Sequence, residues 1–250
     1  MKFQGFVGPT YSLKSSNVNA ERCVNLYPEL IEAGTGKEGE VAYLTTTPGL
    51  EKILNVGTGP IRCVHIDPQG TVFVVSGTEL YKMIYSASAW TATSLTKDIY
   101  STFTTSTGRV YAASMANASA VKTVFVDGDS CYIYEKSGVY PEGNFATYAA
   151  YGYSSVNYPT HVIFIDGYFI FVQGGSNQFF VSDINTFTVN PLSFSSAEGD
   201  PDDVMAIISN NRDLWVLGER TIEVFSNTGN ADFPFERVSG GFIEKGCAAK

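Results

Sequence analysis

Charge is scarce in this sequence and leans one way. Asp, Glu, Lys and Arg make up 16% of the 250 residues, with 25 acidic against 16 basic side chains and a net charge of −9. No dense basic run exists, which excludes tight wrapping of nucleic acid, because that affinity depends on cations neutralising phosphates. Long Ala, Leu, Glu and Lys runs are nearly missing, which excludes a helical architecture. There are only two histidines, and four cysteines stand singly at Cys23, Cys63, Cys131 and Cys247 with no C-x-x-C pair. That spacing fits reduced thiols and argues against a metal cluster or a disulfide framework. The opening MKFQGFVGPTYSLK is broken by Gly5, Gly8 and Pro9 before an apolar core of signal-peptide length builds up. No stretch reaches the roughly 18 apolar residues that cross a bilayer. The expectation is a soluble chain made in the cytoplasm, with no membrane partner and no cofactor.

What is abundant is Tyr, Phe, Val, Thr, Ser and Gly, the composition of strands joined by short polar turns. A unit recurs: apolar strand, tight turn with Asp, Asn or Gly, second strand, Gly-containing turn, third strand. It reads IRCVHIDPQGTVFVVSGTELYKMI from Ile61, HVIFIDGYFIFVQGGSNQFFVSD from His161 and VMAIISNNRDLWVLGERTIEVFS from Val204. The turns fall at Asp67-Pro68-Gln69-Gly70, Asp166-Gly167 and Ser209-Asn210-Asn211, where Gly and Asn tolerate positive φ and Pro presets the bend. A degenerate copy has strands near Val110, Val124 and Tyr132 and a turn at Asp127-Gly128-Asp129. Fourth strands are expected at Trp90 to Leu95, Phe187 to Phe194 and Phe233 to Gly240.

The repeat length, roughly 40 to 55 residues, is that of a four-stranded propeller blade. The fold class is therefore all-β: a β-propeller or the N-terminal portion of one, about four blades over residues 57–250, with an extended N-terminal arm over 1–56. A β-sandwich would also supply many short strands, but not this returning order. The stretch GGFIEKGCAAK reads as the opening of another blade, so the propeller is expected to be incomplete at the C-terminus, to be finished by further chain or by a partner.

The arm carries Pro9, Pro28 and Pro48 and the Gly-rich EAGTGKEGE. In SSNVNAERCVNLYPE, Val18, Val24 and Leu26 alternate as a short strand, Tyr27 has a ring to bury, Pro28 is expected to end pairing, and Arg22 has a forked donor for a carboxylate or carbonyls. A nucleophilic Cys23 would need a general base, and neither histidine lies in a comparable motif, so the segment reads as an anchor.

Other chemistry is weaker. SNNRDLW lacks the Asp and Gly of the Asp-box turn S-x-D-x-G-x-x-W, and no carboxylate pair stands out for glycoside hydrolysis. Glu198, Asp200, Asp202 and Asp203 in AEGDPDD are hard oxygen ligands, but their spacing is not that of a calcium loop, and a turn at Asp200-Pro201 accounts for them. The glycines of VQGGSNQ and VSGGFIEKG lack the Lys-Ser/Thr of a phosphate loop. His65 and His161 read as packed neutral histidines, Trp90 and Trp215 as blade packing.

Three pieces then resemble one family. SSNVNAERCVNLYPE, LTTTPGLEKI (Leu44 to Ile53) and TIEVFSNTGNADFPFERVSGGFIEKGCAA (Thr221 to Ala249), with SSAEGDPDDVMAI before the last repeat, look like the tail-hub, or packaged-DNA stabilisation, proteins of short-tailed bacteriophages. The resemblance implies a propeller-containing structural virion protein without catalysis. It implies a homo-hexameric ring below the portal and its adaptor proteins, with docking surfaces for the tail needle and for tailspikes or fibres. It also implies transient, non-specific contact with genomic DNA. On this reading Arg22, Tyr27, Pro48 and Gly49 hold the arm, and Glu244, Lys245 and Gly246 mark the junction to the next blade or to a neighbour. The acidic balance suits a conduit whose lumen-facing carboxylates repel DNA. A carbohydrate-binding propeller for receptor recognition is the alternative, and a propeller glycosidase a third reading.

Overall fold

The computed structural model describes residues 26–31, 41–95, 102–116, 120–137, 144–147 and 158–248. The chain divides into two compact units, Met1–Ile53 and Leu54–Lys250. The first contains a two-stranded antiparallel ribbon, β1 (Leu26–Ile31) and β2 (Val41–Thr46), with Tyr27 opposite Thr45 and Pro28 opposite Leu44. Pro28 does not end the pairing as expected. Among the described residues each strand here has one neighbour, and a proline costs no ladder bond on the open side of an edge strand. Arg22, Val18 and Val24 lie outside the described residues.

The second unit is four antiparallel four-stranded meanders. Blade one is β3 (Ile61–Ile66), β4 (Val72–Ser76), β5 (Glu79–Ser86) and β6 (Ala89–Ser94). Blade two is β7 (Tyr111–Ala116), β8 (Ala120–Val126), β9 (Cys131–Ser137) and β10 (Asn144–Thr147). Blade three is β11 (Pro159–Ile165), β12 (Tyr168–Gln173), β13 (Gln178–Ser182) and β14 (Val189–Ser196). Blade four is β15 (Val204–Asn210), β16 (Asp213–Gly218), β17 (Ile222–Asn227) and β18 (Phe235–Ile243). The first strands β3, β7, β11 and β15 neighbour one another in that order, as the inner strands of a propeller do.

Alternation sorts each sheet into two apolar faces, and the core lies between blades. Phe73, Val75 and Leu80 meet Phe125, Tyr132 and Tyr134 between blades one and two. Val124 and Ile133 meet Phe169 and Phe171 between two and three, and Val172 and Phe179 meet Leu214 and Phe225 between three and four. Aromatic rings dominate and pack edge to face, as Phe73 does on Phe125 and Phe179 on Phe225, both with 5–6 Å between centroids.

The turns follow local chemistry. Asp67 Oδ1 accepts from the backbone N–H of Gln69 and Thr71, closing the β3–β4 turn. Asp166 and Gly167 both take positive φ in the β11–β12 turn. The β15–β16 turn falls one residue later than expected, on Asn211 and Arg212 at φ 51° and 69°. β15 runs on through Asn210, which pairs with Asp213.

Candidate functional site

The organised polar chemistry sits at the joints between blades, on the rim where each chain crossover passes the turn between a blade's second and third strands. Blade one to blade two is the fullest case. Arg62 is buried in the otherwise apolar β3, where the ladder shifts register between Ile61 and Cys63. It donates from Nε to Gly108 O at 2.8 Å, from Nη1 to Gly77 O and Thr105 O at 2.8 and 2.5 Å, and from Nη2 to Thr105 Oγ1 at 2.6 Å. Thr105 Oγ1 donates on to Asp127 Oδ2 at 2.9 Å. The same carboxylate oxygen accepts from the Thr105 N–H at 3.1 Å and, more weakly, from the Tyr132 hydroxyl. Arg62, Thr105 and Asp127 thus form a cation–hydroxyl–anion relay that ties blade one, the crossover and blade two.

Electrostatics agree. Burial lowers the Arg62 pKa, partly opposed by Asp127 and Tyr132. Burial alone would raise that of Asp127, but N–H groups of Ser130, Thr105 and Asp129 and the Thr105 hydroxyl outweigh it and hold the carboxyl below its ordinary value. On the same interface His65 Nε2 lies 2.6 Å from Ser114 Oγ, which contacts Thr123 Oγ1, and the imidazole meets Phe125 edge-on. Burial lowers the His65 pKa, against an opposing pull from Asp67.

Later joints reuse the geometry with other residues. Blades one, three and four each end the second strand on or next to a glycine that touches the segment entering the inner strand: Gly77 on Gly59, Gly174 on the Tyr158 ring, Gly218 on the Asp202 carboxylate. A backbone bond joins the same places, Gly77 N to Pro60 O, Gly174 N to Tyr158 O and Glu219 N to Asp203 O, within 2.9–3.2 Å. Buried Asp202 accepts from the Arg220 and Thr221 N–H groups at 2.6 and 3.1 Å. Buried Glu223 accepts from Gly199 N at 2.7 Å and is paired with Arg237. On the opposite rim Arg212 Nε and Asn227 Nδ2 donate to Asp166, linking blade four to blade three.

This arrangement holds sheets together and offers little reactive chemistry. Burial pushes the Cys63 thiol up to about 11 and the Cys131 thiol further, so both are protonated and poorly nucleophilic at neutral pH. Among the described residues no group of His, Cys, Asp and Glu is arranged to hold a metal. Asp202, in AEGDPDD, is a turn cap. The inner strands IRCVHI, YAASMA, PTHVIFI and VMAIISN carry no Asp or Glu.

The residues expected to carry assembly fall in both units. Arg22 lies outside the described residues, and Tyr27 sits in β1. Pro48 and Gly49 are exposed in the coil after β2, and a Cβ on Gly49 would meet nothing. Glu244, Lys245 and Gly246 are exposed beyond β18. There Gly246 rests against the Glu219–Arg220 peptide and Cys247 N donates to Gly218 O at 2.8 Å. Reasoning from sequence missed Arg62, Thr105 and Glu223; the signal for two of them was a charge inside an apolar strand.

Residues 8–250 match the family described as Phage_stabilise, Bacteriophage P22 Gp10, beta-propeller. No curated protein matches the sequence. Among solved structures, a catalytically inactive virginiamycin B lyase from Staphylococcus aureus with quinupristin aligns with TM-score 0.47 at 9% identity, over 79% of this chain and 59% of that one. Hsv2 of Kluyvelomyces marxianus aligns with TM-score 0.44 at 10% identity, over 84% of this chain and 60% of that one. The chain therefore spans about 60% of the length of these solved chains.

Proposed function

Because the chain belongs to the bacteriophage stabilisation family, whose members are non-catalytic structural proteins of the phage tail that stabilise packaged DNA, we propose that it acts as a tail-hub subunit. In this reading copies assemble as a six-membered ring below the portal and its adaptor proteins. The ring holds the genome in and docks the tail needle and tailspikes or fibres. The observation that carries it is the family match over nearly the whole chain. The fold supports it: four blades pinned by buried polar relays make a stiff body suited to transmitting load between tail components.

Contact with DNA is transient and non-specific. A net charge of −9 disfavours grip on the phosphate backbone. Arg22, Tyr27, Pro48 and Gly49 anchor the N-terminal arm, and Glu244, Lys245 and Gly246 form a junction. The last three run across the β16–β17 turn as the crossover after β14 runs across the β12–β13 turn, where Ala197 N donates to Asn177 O. That common path supports a role in leading to a further blade or to a neighbour.

The test is genetic. Phage lacking this protein should package DNA and then lose it, so that purified heads are empty unless the protein is added back to freshly filled particles. Heads that retain full-length DNA without it would overturn the proposal.

A further inference from the structure

Inside the joint between blades one and two, three polar side chains form a line from one sheet to the other. His65 of β3 has Nε2 2.6 Å from Ser114 Oγ of β7, and Ser114 Oγ lies 2.7 Å from Thr123 Oγ1 of β8. Ser114 and Thr123 stand directly opposite in their ladder and so share the face that meets blade one. Thr123 is fully buried, whereas His65 and Ser114 are partly so. Among the described residues neither hydroxyl has a further partner, and His65 Nδ1 meets no protein group.

The protons available decide which way this line runs. Each hydroxyl has one proton to give, and a neutral imidazole has one bare nitrogen to receive. With Nε2 bare, Thr123 donates to Ser114 and Ser114 donates to Nε2, so every hydroxyl proton has an acceptor. With a proton on Nε2, the ring donates to Ser114, and the two hydroxyls have only each other; one hydroxyl proton then has no acceptor. A buried donor left unpaired is costly. Little around the ring repays a positive charge. Phe73 of β4 stands opposite His65, and Phe125 of β8 meets it edge-on. The titratable groups on this side are Cys63 of β3, whose thiol is protonated, Tyr134 of β9, opposite Thr123, and Asp67 in the β3–β4 turn. Arg109 adds a cation on the Cys63 side. Asp67 favours the imidazolium, but its Oδ1 already accepts from the Gln69 and Thr71 N–H groups.

We propose that His65 is a proton-operated latch on this joint: the neutral ring carries its proton on Nδ1 and accepts from Ser114 at Nε2, and a proton taken from solvent onto Nε2 reverses the hydroxyl line and loosens blade one from blade two. The only bond that forms is the new N–H. The fully buried Thr123 gives the line its direction, because it sits at the end that water does not supply. The Arg62–Thr105–Asp127 relay at the rim of the same joint keeps its charges while the ring titrates, since Asp127 is held below its ordinary pKa. The latch is therefore separable from the relay. The inference is independent of the tail role and of any further blade, because every residue in it lies between two blades already in contact.

The test is nitrogen-15 NMR of the imidazoles in the full 250-residue chain, which has only two histidines, with His65→Asn identifying the His65 signals by their loss. At neutral pH the parent should show His65 with the proton on Nδ1 and a bare Nε2. A titration then compares the parent with Thr123→Val and Thr123→Ser. Replacing a buried hydroxyl by a methyl makes the surroundings drier, so a merely packed histidine would bind its proton more weakly or unchanged. The latch predicts the reverse: Thr123→Val raises the proton affinity of His65 about threefold or more, because no fully buried hydroxyl proton is stranded, and Thr123→Ser behaves as the parent. The fall in denaturant midpoint between neutral pH and about pH 5.5 should likewise shrink in Thr123→Val and persist in Thr123→Ser. A proton on Nε2 in the neutral parent, read without any variant, would overturn the proposal. So would an unchanged or lowered proton affinity in Thr123→Val, or an acid-induced fall of the same size in that variant and the parent.

Discussion

At the scale of the residue, Arg62 matters most. It satisfies three backbone carbonyls, of Gly108, Gly77 and Thr105, from a largely buried position. Replacing it with methionine keeps much of the volume but leaves those acceptors without their donor and removes the cation that reaches Asp127 through Thr105. Breaking a buried, hydrogen-bonded charge typically costs about 3–5 kcal/mol, and a chain of this size loses roughly 2–4 °C of midpoint per kcal/mol. Arg62→Met should therefore lower the thermal midpoint by about 10 °C, read by calorimetry. An unchanged midpoint would remove the relay from the account.

The same joint fixes a pH dependence. Asp127 is held below its ordinary pKa and His65 is lowered by burial, so in both cases the folded state binds fewer protons than the unfolded chain. Their contributions are complete above the unfolded pKa of each group and decline as pH falls toward the folded one. The His65 part should fade first, below about pH 6.5, and the Asp127 part below about pH 4. Denaturant midpoints measured from pH 7 to pH 3 should fall in those two windows. His65→Asn should flatten the upper one while leaving the lower.

At the scale of the element, glycines at the end of the second strands of blades one, three and four decide whether each blade seats on its crossover. A Cβ on Gly218 would lie 2.5 Å from the Asp202 carboxylate, and one on Gly174 would lie 2.2 Å from the Tyr158 ring, closer than real Cβ contacts come. Overpacking of this kind costs about 1–3 kcal/mol. Gly218→Ala and Gly174→Ala should each destabilise by that amount in urea titrations, and Gly49→Ala, where nothing stands within 4 Å, should be neutral. Equal effects at all three positions would contradict the seating argument.

These elements also show what could be read in advance. Strand alternation, the Asp-Pro-Gln-Gly and Asp-Gly turns and the blade repeat are local signals, so the meanders of blades one, three and four were legible, including their fourth strands at Trp90, Val189 and Phe235. The fourth strand of blade two, Asn144–Thr147, is short and lacks a distinctive pattern. The joints were illegible because each is made by residues far apart in sequence, as Arg62 and Thr105 are. A capping Asp such as Asp127 looks like any turn residue until its partners arrive. The shift of the β15–β16 turn onto Asn211-Arg212 reflects strand pairing prevailing over the preference of Arg against positive φ.

At the scale of the whole molecule, interblade cores of aromatic rings, pinned at the rim, make a body whose blades move together. Truncating Phe179, buried between blades three and four, should cost about 3–5 kcal/mol and unfold the propeller unit in a single transition rather than release blade four alone. Two separate transitions by circular dichroism and tyrosine fluorescence would contradict that coupling.

The central claim is that this propeller is a structural part of the tail hub. The most direct measurement is electron microscopy of intact virions carrying a label on this chain, with averaging of the tail. The account predicts label in a six-fold ring between the portal region and the tail tip. Label at the distal ends of the fibres, or no label on virions, would contradict it.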